Sequence, residues 1–223
     1  MLLMKIYALS GLGADERAIQ KLTVDGEFIP IKWLEPEKNE SLKSYALRIG
    51  DQIDTSEPFV LLGLSFGGML ASELNKKLKP ELTILLSTAS TKSELPTYFS
   101  IVRFLRLTQL LPSRLFKPPT WLMNRYFRLK RNKSRALIKE IMNDSDPKFL
   151  KWAIGAIMKW DNEVVPKNVL RIHGANDPVL TNRKLPGSIT VGKGHLIVFD
   201  KAVKVSEIIN GQMKSLESKE SSS

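Results

Sequence analysis

A serine at position 65 of the 223-residue chain lies between two glycines, in the pattern Gly-x-Ser-x-Gly over 63–67. A short apolar run at 59–62 precedes it, and an amphipathic stretch at 66–78 follows it. In this context of strand, sharp turn and helix, the pattern is typical of a nucleophilic serine. The glycines remove side chains that would collide at such a turn. The pattern therefore predicts that Ser65 presents its hydroxyl at the end of a strand.

A serine hydroxyl is a weak nucleophile, so Ser65 needs a base, and the base needs an acid that orients it. Asp177 follows one apolar run, within the segment His-Gly-Ala-Asn-Asp-Pro-Val at 173–179, and His195 follows the next apolar run. The carboxyl ends of parallel strands meet at one edge of a sheet. We therefore expect Ser65, Asp177 and His195 to converge there.

These residues also have plainer interpretations. A glycine-rich turn can simply pack a helix against a strand, Asp177 before a proline can start a turn, and His195 can cap a helix. The occurrence of all three in the order Ser, Asp, His favours the catalytic interpretation. The second histidine, His173, ends an apolar run, and we interpret it as a structural, hydrogen-bonded residue.

The elements that must position these residues form an alternating pattern of strands and helices. Near-continuously apolar strands that alternate with amphipathic helices are typical of a parallel sheet covered on both faces. The strands are predicted at 5–9, 28–33, 59–62, 82–86, 169–172 and 188–191, and the helices at 14–22, 41–53, 66–78 and 201–214. The predicted fold class is therefore α/β, with a mostly parallel sheet of about six strands. Pro30 predicts an edge position for the second strand.

Residues 91–160 interrupt this alternation. They contain 15 Lys and Arg but only 4 Asp and Glu, a net charge of +11 that equals the net charge of the whole chain. Amphipathic helices are predicted there at 98–111, 121–129, 134–142 and 147–160. We therefore expect a core of 1–90 and 161–214, a basic helical cap over 91–160, and a polar, disordered tail at 215–223.

Taken together, the glycine–serine turn, the segment at 173–179 and Gly194-His195 resemble the α/β-hydrolase superfamily. The resemblance covers nearly the whole chain outside 91–160 and implies that fold, with an inserted helical lid. It implies that Ser65 is the nucleophile, His195 the general base and acid, and Asp177 the orienting acid.

The resemblance also bears on the groups that would hold an oxyanion. The amide of Phe66 is expected at a helix N-terminus, where free N–H groups and the helix dipole favour an anion. The family usually has His-Gly in the loop after the first strand, where this chain has Ser10-Gly11. We carry the second oxyanion amide over to Leu12, because that contact is made by the backbone.

The implied activity is a serine hydrolase that cleaves a carboxylic ester or thioester of a small molecule through an acyl-enzyme, without a metal or an organic cofactor. An acyltransferase, a lyase, a cofactor-free perhydrolase and a non-catalytic binding protein stay open, because a fold does not decide the reaction.

The composition limits the partners and the cell compartment. The basic cap predicts attraction of an anionic substrate or of an anionic membrane surface, with a merely solvated surface as the alternative. No nucleic-acid-binding motif accompanies the charge, so no nucleic acid partner is expected.

The chain has no cysteine and two histidines, which excludes thiol catalysis and argues against multi-histidine metal sites. Without the residue order of a signal peptide, the chain is predicted to be cytoplasmic.

Overall fold

A parallel sheet forms the centre of the molecule. The computed structural model describes residues 4–99, 110–117, 119, 132–181 and 185–220. The described strands are β1 Lys5–Leu9, β2 Glu27–Pro30, β3 Phe59–Leu64, β4 Leu82–Leu86, β5 Val169–His173 and β6 Ile189–Thr190. They form one sheet in the order β2-β1-β3-β4-β5-β6, and every neighbouring pair is parallel. The predicted α/β class and the parallel sheet are confirmed, and β2, which contains Pro30, lies at an edge.

Helices cover both faces of this sheet. The described α-helices are α1 Leu42–Ile49, α2 Phe66–Leu78, α3 Asn132–Asp144, α4 Pro147–Lys159, α5 Ile197–Asp200 and α6 Ala202–Glu220. Side chains stabilise two of their N-termini, because Ser41 accepts a hydrogen bond from the Ser44 amide and Asp146 accepts one from the Lys148 amide. Such caps satisfy amide groups that have no partner within the helix. Among the described helices, none combines the length and the apolar character needed to cross a membrane.

The described core consists of two apolar clusters, one on each face of the sheet. Leu61 of β3 packs in the cluster that includes residues of α1, α2 and α4, whereas its neighbour Leu62 packs in the cluster that includes residues of α5 and α6. Successive strand residues point to opposite faces, so a strand that is apolar throughout contributes to both clusters. All six residues of β3 are buried, which fixes the strand that carries Ser65 at the centre of the molecule.

The helix predicted at 14–22 is reduced to a 3₁₀ turn, Glu16–Ala18. The amide of Gln20 still donates to the carbonyl of Glu16, but the segment at 23–25 that follows is bound to α6. The amide of Thr23 donates to the hydroxyl of Ser206, and the amide of Asp25 donates to the side-chain oxygen of Asn210. These contacts come from residues more than 180 positions away, and the local pattern of the segment gives no sign of them.

The last helix is longer than predicted. The tail predicted to be disordered at 215–223 instead continues α6 as far as Glu220, and 221–223 lie outside the described residues. Leu216 gives the physical reason, because it packs against the same apolar cluster as Ile209 and Met213. An apolar residue at helical spacing keeps this polar segment attached to the core.

Two of the helices predicted within 91–160 correspond to α3 and α4. The helix predicted at 121–129 lies outside the described residues, as does nearly all of the one predicted at 98–111. Between these segments, Ser113–Phe116 forms a 3₁₀ turn.

Candidate active site

Ser65 occupies a strained turn between β3 and α2. Its φ is +51° and its ψ is −116°, a conformation that is unfavourable for a residue with a side chain. The flanking glycines make the turn sterically feasible. A Cβ on Gly63 would lie 2.5 Å from the Cα of Gly68, and a Cβ on Gly67 would overlap the carbonyl oxygens of Leu9 and Ser10. The turn therefore brings α2 directly against β1 and directs Ser65 to the carboxyl edge of the sheet.

Three residues from separate loops meet at this edge. The Nε2 atom of His195 lies 2.9 Å from the Oγ of Ser65, and its Nδ1 lies 2.7 Å from the Oδ2 of Asp177. A carboxylate can only accept, so Nδ1 carries the ring hydrogen and Nε2 accepts from the serine hydroxyl. Asp177 and His195 are buried, whereas Ser65 is partly exposed to the cavity described below. The three residues chosen from the sequence are thus joined by a continuous chain of hydrogen bonds.

The environment of Asp177 favours its charged form. Its Oδ1 accepts hydrogen bonds from the amides of Val179, at 2.8 Å, and Leu180, at 3.0 Å. Burial by itself would raise the pKa of Asp177, but the electrostatic interaction with His195 and the hydrogen bonds from His173, His195 and Leu180 outweigh burial. Together they hold the pKa of this carboxyl well below its usual range. Asp177 is therefore an anion that faces the imidazole of His195.

Two backbone amides are available beside the serine. Leu12, in the loop after β1, and Phe66, the first residue of α2, both line the cavity next to Ser65. Among the described residues, neither amide donates a hydrogen bond. A Cβ built on Gly11 would lie 3.6 Å from the Cβ of Ser65, so the loop after β1 passes directly beside the nucleophile position. Both residues thus lie beside the nucleophile position with amides that are not occupied by another described acceptor.

Contacts at both ends hold the loop after β1 in place. The hydroxyl of Ser10 donates to the carbonyl of Ala14 at 2.6 Å, and the hydroxyl of Ser145, after α3, donates to the carbonyl of Gly13 at 2.5 Å. Arg17 forms ion pairs with Asp15 in the same loop and with Glu140 and Asp144 of α3. The loop is therefore bound to the segment inserted between β4 and β5.

A cavity of about 540 Å³ opens onto Ser65 and His195. This volume lies within the usual range for small-molecule sites. Both the core and the inserted segment contribute to its walls. The inserted segment contributes side chains of Phe99, Phe116, Ile138, Ile141, Met142, Leu150, Ile154, Ile157 and Met158, and other apolar walls come from Met69, Val179, Leu196 and Phe199. No described residue that lines the cavity carries a charge, so the site suits an apolar chain attached to a polar reacting group.

Several described basic residues of the insertion bond to nearby backbone instead of facing the cavity. The ammonium of Lys117 donates to the carbonyls of Asn143 and Ser145, and that of Lys151 donates to the carbonyl of Leu111. Lys92 forms an ion pair with Glu163. Part of the positive charge of 91–160 thus has a local structural role.

Two contacts around the site were not expected from the sequence. The hydroxyl of Thr88, after β4, donates to the backbone carbonyl of Ser65 at 2.5 Å and so supports the strained turn. The Nε2 atom of His173 lies 2.9 Å from the Oδ2 of Asp177 and 2.6 Å from the carbonyl oxygen of Leu180. The position of both residues at strand ends was visible in the sequence, but their partners were not.

No protein-family model and no curated protein sequence matches the chain. Many solved structures do, and the following three are each 15% identical to the chain. An enol-lactonase from Burkholderia xenovorans LB400 matches with a TM-score of 0.75 at 15% identity, over 96% of this chain and 92% of its own. A thermophilic esterase from Thermogutta terrifontis matches with a TM-score of 0.70 at 15% identity, over 96% and 91%. The esterase EaEST from Exiguobacterium antarcticum gives a TM-score of 0.70 at 15% identity, over 96% and 92%. At such identity the likeness establishes the fold.

Proposed function

We propose that this chain, which has the α/β-hydrolase fold, is a serine hydrolase that cleaves a carboxylic ester or thioester through an acyl-enzyme. One observation carries the proposal: hydrogen bonds run from Asp177 through both ring nitrogens of His195 to the hydroxyl of Ser65, beside an apolar cavity. The solved structures of similar fold include esterases and a lactonase, and this supports hydrolysis of an ester as the class of reaction.

The proposed reaction begins when the hydroxyl oxygen of Ser65 attacks the substrate carbonyl carbon and Nε2 of His195 takes the hydroxyl proton. The carbonyl oxygen becomes an oxyanion, which accepts hydrogen bonds from the amides of Leu12 and Phe66. Asp177 stabilises the imidazolium that forms on His195. The bond to the leaving group then breaks, and His195 returns the proton to the departing alcohol or thiol.

Water completes the cycle. Nε2 of His195 takes a proton from a water molecule, whose oxygen attacks the acyl carbon bound to Ser65. The second tetrahedral intermediate collapses, the carboxylic acid departs, and the proton on His195 returns to the oxygen of Ser65. Every proton is transferred by groups of this chain and by water, so the proposed reaction uses no metal or organic cofactor.

We assign the apolar cavity to the acyl chain of the substrate. The residues at 91–160 then act as a cap, because side chains of α3 and α4 form much of the cavity wall. Burial of a hydrocarbon chain there is favourable by about 0.8 kcal/mol for each methylene. A cytoplasmic location for the enzyme stays a prediction from the composition.

A fluorophosphonate probe tests the nucleophile. We expect the wild-type protein to be labelled at Ser65 and the Ser65→Ala variant to lose that labelling. Ser87 provides a matched control: it also has a positive φ and follows the adjacent strand β4, but it is fully buried and its hydroxyl has no hydrogen-bond partner among the described residues. Ser87→Ala should therefore be labelled like the wild type. Undiminished labelling of Ser65→Ala would exclude this nucleophile.

A panel of p-nitrophenyl esters separates the proposed hydrolase from the alternatives. A hydrolase should release p-nitrophenol from esters that fit the cavity. A folded protein that reacts with the probe but with none of the esters would indicate an acyltransferase, a lyase or a perhydrolase. A folded protein that reacts with neither would indicate a non-catalytic binding protein.

The variant Ile154→Trp tests the assignment of the cavity to the acyl chain. Ile154 lies on α4 and lines the cavity, so a larger side chain there shortens the available space. We expect kcat/KM for a decanoyl ester to fall by about tenfold or more relative to an acetyl ester. Val203→Trp is the control, since Val203 is 75% exposed on α6 and does not line the cavity. An equal loss for both esters would contradict the assignment.

A further inference from the structure

We propose that His173 is a positioning residue that shares the charge of Asp177 with His195 and thereby limits the basicity of His195. The inference rests on the proposed function, in which His195 is the base. It assigns a role in the reaction to the second histidine of the chain, which does not line the cavity and is 2% exposed. His173 therefore acts through Asp177 and not through the substrate.

The hydrogen on His173 is determined by its partners. Nε2 of His173 lies 2.9 Å from Oδ2 of Asp177 and 2.6 Å from the carbonyl oxygen of Leu180. Both atoms can only accept hydrogen bonds, so Nε2 carries the hydrogen. The same Oδ2 lies 2.7 Å from Nδ1 of His195. The single hydrogen on Nε2 of His173 is thus shared between the carbonyl of Leu180 and the carboxylate oxygen that also accepts from His195.

The loops that carry the two histidines are joined closely. The amide of Val191 donates to the carbonyl of His173 at 2.8 Å, and the amide of Ala175 donates to the carbonyl of Gly192 at 3.1 Å. A Cβ on Gly174 would collide with the carbonyl oxygen of Gly194, so only glycine allows this approach. The backbone therefore places both rings on the same side of Asp177.

The carboxylate of Asp177 has little freedom to rotate when the N–H donor of His173 is removed. Its other oxygen, Oδ1, is held by the amides of Val179 and Leu180. If the N–H of His173 is removed, Oδ2 keeps its place and interacts with His195 alone. The negative charge on Oδ2 of Asp177 then stabilises the imidazolium form of His195 more strongly, because the hydrogen bond from His173 no longer offsets part of that charge. Removal of the donor should therefore make His195 more basic.

Most other charged groups on the surrounding elements are paired or exposed, and the half-buried Asp200 of α5 is an exception. Arg171, on the same strand as His173, bonds to the buried Glu94 at 2.8 Å. Lys193 precedes His195 and is exposed, and no described residue of the cavity wall that faces His195 is charged. Asp15 pairs with Arg17 in the loop after β1, and Glu73 pairs with Lys76 on α2, where Lys77 is exposed. Asp200 lies on α5.

The variants His173→Leu and His173→Gln separate the donor from the packing. Leucine removes the N–H, whereas the glutamine amide keeps an N–H donor on a side chain of similar reach. Since the chain has two histidines, ¹⁵N-histidine NMR follows each ring directly. In His173→Leu we expect the titration midpoint of His195 to move to higher pH by about half to one pH unit. The midpoint of the acid limb of the kcat/KM profile should move by the same amount. His173→Gln should stay within about 0.3 pH unit of the wild type.

A His195 midpoint that is unchanged or lowered in folded His173→Leu overturns the proposal, as does an equal shift in both variants. If the leucine variant does not fold, the ¹⁵N-histidine NMR spectrum of the wild type tests the proposal, because it shows which ring nitrogen of His173 carries the hydrogen. The proposal requires the Nε2–H form of His173, and the Nδ1–H form overturns it, because Nε2 would then have no hydrogen to donate to Asp177.

The NMR titration needs no turnover, so it is independent of the labelling of Ser65. A protein that fails the labelling test but shows the shift would lack the proposed activity and still have the shared carboxylate. A protein that passes the labelling test without the shift would be a hydrolase in which His173 is only structural.

Discussion

Both oxygens of Asp177 are occupied by hydrogen-bond donors. Two backbone amides bind Oδ1, and two imidazole rings meet at Oδ2. Such an arrangement compensates for the loss of water around a buried carboxylate and fixes its orientation. Asp177 can therefore remain charged while it holds His195 toward Ser65.

Substitution of Asp177 by asparagine should remove most of the activity. The amide is uncharged and presents an N–H where His195 needs an acceptor, so both the ring orientation and the stabilisation of the imidazolium are lost. We expect kcat to fall by about 10³–10⁴ with the fold retained, measured by ester hydrolysis and circular dichroism. Asp161→Asn, at an exposed aspartate away from the 540 Å³ cavity, should keep wild-type activity. A loss below tenfold in Asp177→Asn would contradict the assigned role.

The same substitution should change the pH dependence of stability. The pKa of Asp177 is lower in the folded protein than its ordinary value of 3.8, so ionisation of this group favours folding. That contribution is complete above about pH 4 and is lost as the pH falls toward the folded-state pKa. As the pH decreases from about 5 to 3, we expect the Tm of the wild type to fall more steeply than that of Asp177→Asn. Parallel curves would show that the carboxylate does not stabilise the fold.

At the scale of the elements, the turn around Ser65 depends on close contact between α2 and the end of β1. Gly67 permits this contact, because its missing side chain leaves room for the carbonyl oxygens of Leu9 and Ser10. The hydrogen bond from Thr88 to the carbonyl of Ser65 supports the turn from β4. The strain at Ser65 is thus maintained by three strands and a helix that pack around it.

Gly67→Ala should therefore destabilise the protein by about 3 kcal/mol, since the new methyl group meets backbone atoms that cannot move independently. Gly211→Ala is the matched control. A Cβ there has no neighbour within 4 Å, and the residue lies inside α6, so this variant should gain roughly 0.5–1 kcal/mol. Urea unfolding measures both changes. Equal effects of the two substitutions would contradict the steric account of the turn.

At the scale of the whole molecule, the net charge of +11 is concentrated in 91–160, whereas the cavity beneath this segment is apolar where it is described. The described helices α3 and α4 contribute apolar side chains inward, and exposed residues such as Lys139 and Lys148 face solvent. This separation of charge from the cavity predicts that positive charge acts on the approach of a substrate and not on its bound acyl chain.

Matched esters with a neutral or an anionic alcohol group test this expectation. Electrostatic attraction between exposed charges weakens as the ionic strength rises. We expect kcat/KM for the anionic ester to fall several-fold between about 20 and 200 mM salt, while that for the neutral ester stays nearly constant. The same salt response for both esters would show that the charge does not steer the substrate.

Local sequence patterns determined the elements that carry the site. Apolar runs predicted the strands, and the two glycines around Ser65 predicted the turn, because strand burial and sharp backbone turns depend on neighbouring residues. The order of Ser65, Asp177 and His195 along the chain indicated a common edge, since parallel strands end on the same side.

Only the tertiary structure decided which distant residues touch. It placed β1 between β2 and β3, bound the segment at 23–25 to α6, attached the end of α6 to the core through Leu216, and brought His173 and His195 to one oxygen of Asp177. Such contacts join residues that are far apart in the chain or whose side chains converge only through the packing of loops. They depend on the packing of all elements together, which no local pattern of residues encodes.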